Sequence, residues 1–161
     1  MHLRIARPTD AEALRTIYNA EVSGSTATFD LTPRTVAEQL EWMGGHDGVY
    51  PAVVAVADGM VLGFGSLSAY RDRPAYAATV EDSVYVGAIH RGTGVGRALL
   101  EELVHLATRH GFHSVVGRIA GENMGSISLH QSCGFEIVGM EREVGRKFNR
   151  WLDVAILQRL L

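Results

Sequence analysis

The sequence predicts a single α+β domain over residues 1–161, and three observations support this fold class. Hydrophobic residues make up 47% of the 161 positions, which is enough for one domain that buries most of its apolar surface. Segments with strand and helix patterns alternate, with short connections and no repeats or low-complexity stretches. The dipeptide Asp58-Gly59 separates two apolar runs and is typical of the turn of an antiparallel hairpin.

Capping residues predict the first three elements. Residues 3–6 have the pattern of a short strand. Thr9 and Glu12 have the spacing of a capping box, so we expect the first helix to begin there. Thr32 as N-cap, followed by Pro33, predicts a second helix that ends at a pair of glycines.

Hydrophobic patterning predicts the remaining elements. Residues 52–57 and 60–69 are the two strands of the hairpin, and the next strand contains Glu81. A wide apolar stripe at helical spacing then predicts a long helix that Gly111 ends. The last elements that we expect are a strand at 113–119, a short helix at 126–132 closed by Gly134, and strands at 135–140 and 151–160.

A glycine-rich turn between the Glu81 strand and the long helix predicts a diphosphate site. Gly92, Gly94 and Gly96 leave the backbone N–H groups open to an anion, because glycine has no side chain to block them. The first N–H groups of the helix lack internal partners, and the helix dipole is positive there. Arg91 and Arg97 flank the turn and add positive charge.

The letters of this turn exclude two common phosphate motifs. A P-loop requires a lysine directly after its second glycine, but Gly92 is followed here by Thr93 and Gly94. The dinucleotide fingerprint, started at Gly92, would need a third glycine where Arg97 stands, and the turn lies in the middle of the chain. An ordinary glycine-rich turn before a buried helix is the remaining alternative to a phosphate site.

The remaining pattern, Arg91-x-x-Gly94-x-Gly96, resembles the acetyl-CoA pyrophosphate loop of the GNAT superfamily of N-acetyltransferases. Other segments resemble the phosphinothricin and methionine sulfoximine or methionine sulfone N-acetyltransferases of that superfamily, and they lie at residues 26–30, 33–35, 79–86, 128–135 and 144–153. The resemblance implies a mixed, mostly antiparallel central sheet flanked by helices on both faces. It also implies acetyl-CoA as co-substrate, direct transfer to a small amino-acid-like amine in a ternary complex, and a homodimer.

Glu81 and His130 are the catalytic residues that the resemblance implies. Acetyl transfer needs a neutral amine, so a group must remove a proton from the ammonium form. Neighbouring side chains alternate along a strand, so only one of Glu81 and Asp82 faces the site, and the family pattern selects Glu81. His130 is expected to protonate the departing thiolate or to assist Glu81. The alternative interpretations are a surface carboxylate paired with an arginine and a packed histidine.

The resemblance also implies which residues hold acetyl-CoA. Val84, Tyr85 and Val86 match a strand whose main chain pairs with the pantetheine arm, and a main-chain N–H near Val86 is expected to stabilise the oxyanion. Asn123 shares a helix face with His130 and matches an asparagine that hydrogen-bonds the same arm. The pyrophosphate is expected on the turn formed by Arg91, Gly92, Thr93, Gly94, Val95, Gly96 and Arg97.

The acceptor side departs from the family pattern. The family places its amino-acid substrate at the segment before the Glu81 strand and beside aromatic side chains, which here predicts Phe29, Arg71, Arg73, Pro74, Ala75 and Tyr76 as substrate-binding residues, with Phe148 and Trp151 as further walls. Ala77 and Asp82 stand where the family commonly has arginine and histidine. The identity of the acceptor is therefore open, and Arg71 or Arg73 is expected to bind its carboxylate.

Composition excludes several other classes of function. A net charge of −3 and a pI near 6.1 argue against a nucleic acid or an anionic membrane as the main partner. The histidines lack the spacing of a zinc site, so no metal is expected. Cys133 is the only cysteine and is expected to be packed, and a cytoplasmic protein is expected. An acyl-CoA sensor without turnover and an acetyltransferase of protein amines are the alternative functions.

Overall fold

The computed structural model describes residues 1–161, which form one seven-stranded sheet in the order β1-β2-β3-β4-β5-β7-β6. The strands are β1 (His2–Ile5), β2 (Ala52–Ala57), β3 (Met60–Ala69), β4 (Thr79–Val86), β5 (Ser114–Ala120), β6 (Glu136–Lys147) and β7 (Arg150–Leu160). Only β4 and β5 pair in parallel, so the predicted mixed, mostly antiparallel sheet is confirmed.

Helices cover both faces of the sheet. They are α1 (Ala11–Gly24), α2 (Val36–Gly44), α3 (Val95–Arg109) and α4 (Met124–Ser132). The long helix α3 buries its apolar stripe against β2, β3 and β4, in a core of 18 residues that also includes side chains of α4, β5 and β7. On the other face, α1 covers a second core around Leu14, Tyr18 and Phe64, and α2 packs against α1.

The hairpin between β2 and β3 was predicted correctly, together with the bounds of both strands. Asp58 has a φ of 51° and Gly59 a φ of 76°, so both turn residues are left-handed, as a two-residue hairpin requires. The strand and helix predictions elsewhere differ from the structure mainly by one or two residues at the ends.

The predicted starts of the first two helices are wrong. Before α1, the N-cap residue is Asp10 and not Thr9; the Asp10 carboxylate makes no capping hydrogen bond to α1 but accepts the Arg7 N–H at 2.7 Å in the preceding 3-10 turn. Helix α2 begins after Thr35, whose hydroxyl and the Glu38 carboxylate form a capping box. Thr32 and Pro33 therefore belong to the preceding loop.

Strand β6 extends to Lys147, beyond the predicted end at residue 140. Its second half is charged and exposed, and Glu143 has a φ of 50° within a bulge, so the sequence lacks the alternating pattern of a buried strand. Pairing with β7 holds this half in the sheet, and the Glu143 N–H donates to Asp153 Oδ1 at 2.7 Å.

Candidate active site

The sheet opens at the middle of β4. Parallel pairing of β4 with β5 runs from Thr79 opposite Ser114 to Asp82 opposite Gly117 and ends there. Beyond that point Val84–Val86 pair only with β3. The backbone of β4 therefore has an unpaired edge, to which an extended ligand can add as a further strand.

A groove of about 620 Å³ lies along this open edge, and we call it the donor groove. It runs from the β4 edge to the N-terminus of α3, between α1 and α4. Its lining residues are Glu21, Ser25, Thr26, Ala27, Val84, Tyr85, Val86, Arg91, Gly92, Gly94, Gly96, Arg97, Glu122, Asn123, Gly125, Ser126 and Leu129. A volume of this size is within the range of ligand sites that bury most of a small molecule.

The glycine turn closes one end of the donor groove. Gly94 has a φ of 90° and is the residue directly before α3, a conformation that a residue with a Cβ adopts only with strain. Gly96 lies in the first turn, where a Cβ would approach the Leu129 side chain at 3.2 Å. The N–H groups at the start of α3 consequently face the groove without side chains in front of them.

Thr93 and Val95 belong to the same turn but do not line the donor groove. The Thr93 hydroxyl donates to the carbonyl of His90 at 2.6 Å and so stabilises the turn. The Val95 side chain is buried in the main core.

Both arginines of the turn already have acidic partners. Arg91 forms an ion pair with Glu21 of α1, and its Nε donates to the Val86 carbonyl at 3.3 Å. Arg97 pairs with Glu101 at 2.8 Å on the exposed surface of α3. An anion entering the groove therefore meets guanidinium groups that are oriented and partly neutralised.

The opposite end of the donor groove is closed by residues that the sequence did not indicate. Glu122 accepts hydrogen bonds from the Thr26 hydroxyl at 2.7 Å and from Arg150 at 2.9 and 3.0 Å. The Lys147 ammonium, which is buried, donates to the Thr28 carbonyl at 2.8 Å and holds the same loop. Thr26 and Glu122 lie 96 residues apart in the chain, Thr28 and Lys147 lie 119 apart, and Glu122 and Arg150 lie 28 apart, so no local pattern connects these partners.

Asn123 has two roles in this geometry. It is the N-cap of α4, since its Oδ1 accepts the Ser126 N–H at 3.1 Å. Its side chain also lines the donor groove, and its Nδ2 has no hydrogen bond to the protein. The amide nitrogen is therefore free to donate to a ligand.

Glu81 lies at the closed part of the sheet, just before the strands separate. Burial raises the pKa of its carboxyl, although the positive charges of Arg118 and Arg71 act in the opposite direction. A carboxylate with a raised pKa is a better proton acceptor than an exposed one. The pKa of Glu81 also responds to the charges of Arg118, Arg71 and Glu141. We call these four residues the acceptor end of the site.

Arg118 and Glu141 form a bidentate ion pair that sequence reasoning missed. Two guanidinium nitrogens of Arg118 donate to the two carboxylate oxygens of Glu141, at 3.1 and 2.5 Å. The hydrogen bond to Arg118 lowers the pKa of Glu141. The pair joins β5 to β6, and its only indication in the sequence would have been an arginine within an otherwise apolar strand.

His130 contacts Asp82 and not Glu81. Its Nε2 lies 2.9 Å from Asp82 Oδ2, and its Nδ1 lies 2.8 Å from the Ser126 carbonyl. Burial alone would lower the pKa of His130, but the hydrogen bond and the charge of Asp82 outweigh it and raise the pKa. Glu81 and Asp82 point to opposite faces of β4, as alternation along the strand predicted.

The predicted acceptor segment forms an exposed turn between β3 and β4. Pro74–Tyr76 is a short 3-10 turn that includes Ala75, and Arg73 precedes it. Arg71 stacks over Tyr70 at 5.1 Å from the ring centroid, and Tyr70 packs edge-on against Tyr76. The charge of Arg71 reaches Glu81, whereas no contact connects Arg73 to the site.

The predicted aromatic walls lie beside strands β6 and β7. Phe29 rests against Gly145 of β6, where a Cβ would clash with its ring. Phe148, in the turn between β6 and β7, is 51% exposed, and Trp151 is 58% exposed.

The structure offers no metal centre and no membrane-spanning helix. No group of three or more histidine, cysteine, aspartate or glutamate side chains is arranged to hold a metal ion. None of the helices combines the length and the apolar character needed to cross a membrane. Cys133 is buried, and burial raises the pKa of its thiol, so it is a packed side chain rather than a nucleophile.

Comparison with known proteins agrees with this geometry. Residues 3–156 match the family model described as "Acetyltransferase (GNAT) domain". An L-methionine sulfoximine/L-methionine sulfone acetyltransferase of Pseudomonas aeruginosa is 40% identical over 159 residues, which cover 97% of this chain and 92% of the relative.

Two solved structures are similar over nearly the whole chain. A phosphinothricin acetyltransferase of Sinorhizobium meliloti in complex with AcCoA has a TM-score of 0.96 and 41% identity, and the match covers 99% of this chain and 88% of the other. A ribosomal-protein-alanine N-acetyltransferase of Brucella melitensis has a TM-score of 0.98 and 35% identity, with 100% of both chains covered.

Proposed function

The chain belongs to the GNAT acetyltransferase family, and from this premise we propose that it transfers an acetyl group from acetyl-CoA to the amine of a small amino-acid-like acceptor. Methionine sulfone, methionine sulfoximine and phosphinothricin represent the class of acceptor. The transfer is direct, within a ternary complex. The proposal rests on one observation above all: a half-buried carboxylate, Glu81, stands where the unpaired edge of β4 leads into an anion-binding helix N-terminus.

The donor groove fits acetyl-CoA in its chemistry. The edge of β4 at Val84–Val86, which is not paired with β5, suits the amides of a pantetheine arm, which can add to the sheet like a strand. Asn123 can donate a further hydrogen bond to that arm. The two phosphates can bind the main-chain N–H groups of the glycine turn at Gly92, Gly94 and Gly96. Arg91 and Arg97 add positive charge there.

Glu81 is the general base in this proposal. An α-amino group with a pKa near 8 is mostly protonated at neutral pH, so the acceptor must lose a proton before it attacks. The raised pKa of Glu81 reduces the mismatch between base and ammonium group. In the proposal, a main-chain N–H near Val86 stabilises the oxyanion that forms on the thioester carbonyl. His130 provides the proton for the departing thiolate.

The acceptor end contains two basic and two acidic side chains. Arg118 is already bound by Glu141, so Arg71 is the cation left to attract a carboxylate on the acceptor. In this proposal, Arg71 takes the role of the arginine that the family commonly has at the position of Ala77. Arg73, Pro74, Ala75, Tyr76 and Phe29 border the approach to this end in the proposal.

We further propose a single domain over residues 1–161 that acts as a cytoplasmic homodimer. Exposed apolar side chains on β6 and β7 support the dimer, among them Val138, Met140 and Trp151. Size-exclusion chromatography with light scattering tests this assembly, and a monomer at micromolar concentration would contradict it.

A thiol-release assay tests the activity. The protein is mixed with acetyl-CoA and with methionine sulfone, methionine sulfoximine or phosphinothricin, and free coenzyme A is measured with a thiol reagent. We expect saturable release that depends on the amine, and mass spectrometry should find one acetyl group on the acceptor. Absence of turnover on these amines and on a broader amino-acid panel, with acetyl-CoA bound in calorimetry, would instead favour a sensor without turnover.

Acetylation of a protein N-terminus is the second candidate, because one of the similar structures is a ribosomal-protein-alanine N-acetyltransferase. The same assay distinguishes it with peptides that begin with alanine. We expect the small amino-acid analogues to have the higher kcat/KM, since the charged groups at the acceptor end are close to Glu81 and suit a compact zwitterion. A higher kcat/KM for the peptide would reverse this assignment.

A further inference from the structure

Asp82 and His130 meet at the point where β4 and β5 separate. Asp82 is the last residue of β4 that pairs with β5, opposite Gly117. Its side chain is 1% exposed and that of His130 is 4% exposed, and the Nε2 to Oδ2 distance is 2.9 Å. The donor groove begins directly beyond this point, with Val84. The pair is therefore buried at the inner end of the groove.

Hydrogen bonding fixes the number of protons in this pair. The Ser126 carbonyl only accepts, so the Nδ1 that lies 2.8 Å from it must have a hydrogen. A neutral ring would then present the lone pair of Nε2 to an ionised carboxylate, which is repulsive at 2.9 Å. One further proton must lie between Nε2 and Oδ2. The pair thus holds one exchangeable proton and is neutral overall.

No other side chain of the neighbouring elements takes part in sharing this proton between Asp82 and His130. From β4 only Asp82 faces the ring, because Glu81 points to the other face. From β5, Arg118 borders the same cavity but binds Glu141. The segment after α4 presents the ring of Phe135, whose centroid lies 5.1 Å from that of His130. Asp82 is the charged side chain that raises the pKa of His130.

The absence of a side chain at Gly117 leaves space for the Asp82 carboxylate and the His130 ring. A Cβ at this position would lie 3.0 Å from His130 Cδ2, 3.1 Å from Nε2 and 3.2 Å from Asp82 Oδ1. Each of these distances is shorter than ordinary van der Waals contact, so a larger residue would push the ring and the carboxylate apart. Glycine opposite Asp82 thus leaves the pair undisturbed, whereas a Cβ there would require the ring or the carboxylate to shift by a few tenths of an ångström.

A small cavity connects the pair to the donor groove. It measures about 50 Å³ and is bordered by Asp82, His130, Asn123, Ser126 and Val84, the last three of which also line the donor groove. Asp82 Oδ1 is buried and has no hydrogen-bond partner in the protein. A polar cavity of this size has room for water, which needs about 10–15 Å³ and polar neighbours.

We propose that the acid of the acetyl transfer is the shared Asp82–His130 pair, in which Asp82 is the positioning residue that keeps a proton on Nε2 of His130 and Gly117 provides the space. The inference rests on the proposed function. When the C–S bond breaks, its electron pair goes to sulfur, and the pair gives its proton to that sulfur through water in the small cavity. The ammonium acceptor loses two protons in all. One of these two protons is equivalent to the proton that the pair gives to the thiolate, because the pair takes up a proton from solvent afterwards. The other is released to solvent.

The substitution Asp82→Asn tests the pair without changing its shape. An asparagine NH₂ can donate to Nε2, so the ring stays in place, neutral and with its hydrogen on Nδ1. We expect kcat to fall by about 100-fold, the size of effect that loss of a general acid produces, while KM for acetyl-CoA stays within about twofold. Glu136→Gln removes an exposed carboxylate that forms no ion pair or hydrogen bond, and it is the matched control, with unchanged kcat.

Nitrogen NMR of the His130 side chain gives a readout that is independent of activity. In the unsubstituted protein we expect both ring nitrogens to be protonated at pH values where a free histidine, with a pKa of about 6.5, has lost its proton. Asp82→Asn should shift the ring to the neutral form at neutral pH. Gly117→Ala should lower kcat and also disturb these signals.

The outcomes separate the two proposals. If the protein acetylates no amine, the proposed function fails, while the NMR titration still tests the pair. If the protein is active and Asp82→Asn retains its kcat, the inference is overturned. It is also overturned if His130 of the unsubstituted protein titrates like a free histidine, a result that does not require any variant to fold.

Discussion

The donor groove and the acceptor end lie next to each other but are built from different parts of the chain. Eight of the 17 residues that line the donor groove come from one continuous stretch, from Val84 to Arg97, and this stretch contributes mainly backbone groups. The acceptor end is made of four charged side chains from the segment after β3 and from β4, β5 and β6. A backbone site depends on local conformation, whereas a side-chain cluster depends on how distant strands pair.

This difference explains why substitutions should act unequally on the two regions. In the donor groove most side chains can change as long as the backbone keeps its shape, and damage should appear as weaker binding of acetyl-CoA. At the acceptor end each side chain acts on the charge of the others, so damage should appear in turnover and in its dependence on pH.

Glu81→Gln should have the largest effect. The amide cannot accept the ammonium proton, so we expect kcat to fall by about 10²–10⁴-fold at neutral pH. The KM for acetyl-CoA should change by less than about threefold, because Glu81 is not part of the donor groove. Steady-state kinetics by thiol release measure both quantities. An unchanged kcat would remove Glu81 from the mechanism and with it the functional meaning of the acceptor end.

Arg118→Gln should change the pH dependence of the reaction. The charge of Arg118 lowers the pKa of Glu81, so its removal, which also frees Glu141, should raise that pKa. A smaller fraction of Glu81 is then ionised at a given pH, and the acidic limb of the kcat/KM profile should move to higher pH. On that limb, where most of Glu81 is protonated, we expect kcat/KM to fall by up to about 10-fold, whereas on the plateau it should change little.

Arg142→Gln is the matched control for this prediction. Arg142 lies next to Glu141 in β6, but its side chain is exposed and forms no ion pair. An acidic limb that moves equally in both variants would show that net charge, and not the pair of Arg118 with Glu141, sets the pKa of Glu81.

Gly94→Ala should damage the donor groove alone. A Cβ at a φ of 90° is strained, at a cost of about 1–3 kcal/mol, and the turn must shift to relieve it. We expect Kd for acetyl-CoA, measured by calorimetry, to rise by about 10-fold, with kcat at saturating acetyl-CoA within about twofold. Gly48→Ala is the control, because Gly48 has a φ of 55° in an open loop away from the groove. Equal weakening in both variants would assign the effect to general destabilisation.

Glu21→Gln should have the smallest effect and the opposite sign. Glu21 neutralises Arg91 in the donor groove, and a diphosphate competes with it for the same guanidinium. Because the side chain of Arg91 is more than half exposed, we expect only about a twofold to threefold decrease in Kd for acetyl-CoA, and less at high salt. Calorimetry at two ionic strengths measures it. Weaker binding in the variant would mean that Glu21 orients Arg91 instead of competing for it.

Much of the fold could be predicted because its signals are local. The turn at Asp58-Gly59 and the apolar stripe of α3 each need only a few neighbouring residues to be recognised. The errors lie where two local signals compete. Thr32-Pro33 and Thr35-Glu38 are both good helix starts, and the structure uses the second, whose capping box is complete. The exposed half of β6 has no local pattern at all and is held by its partner β7.

The sequence by itself determined the glycine turn of the donor groove, the family and the opposite orientations of Glu81 and Asp82, because each depends on residues close together in the chain. Only the tertiary structure decided which groups meet. It joins His130 to Asp82 over Gly117, Arg118 to Glu141, and Glu122 to Thr26 and Arg150. Those contacts form where β5, β6 and β7 come together with β4 and α4, and the order of strands in a sheet is set by the packing of the whole chain.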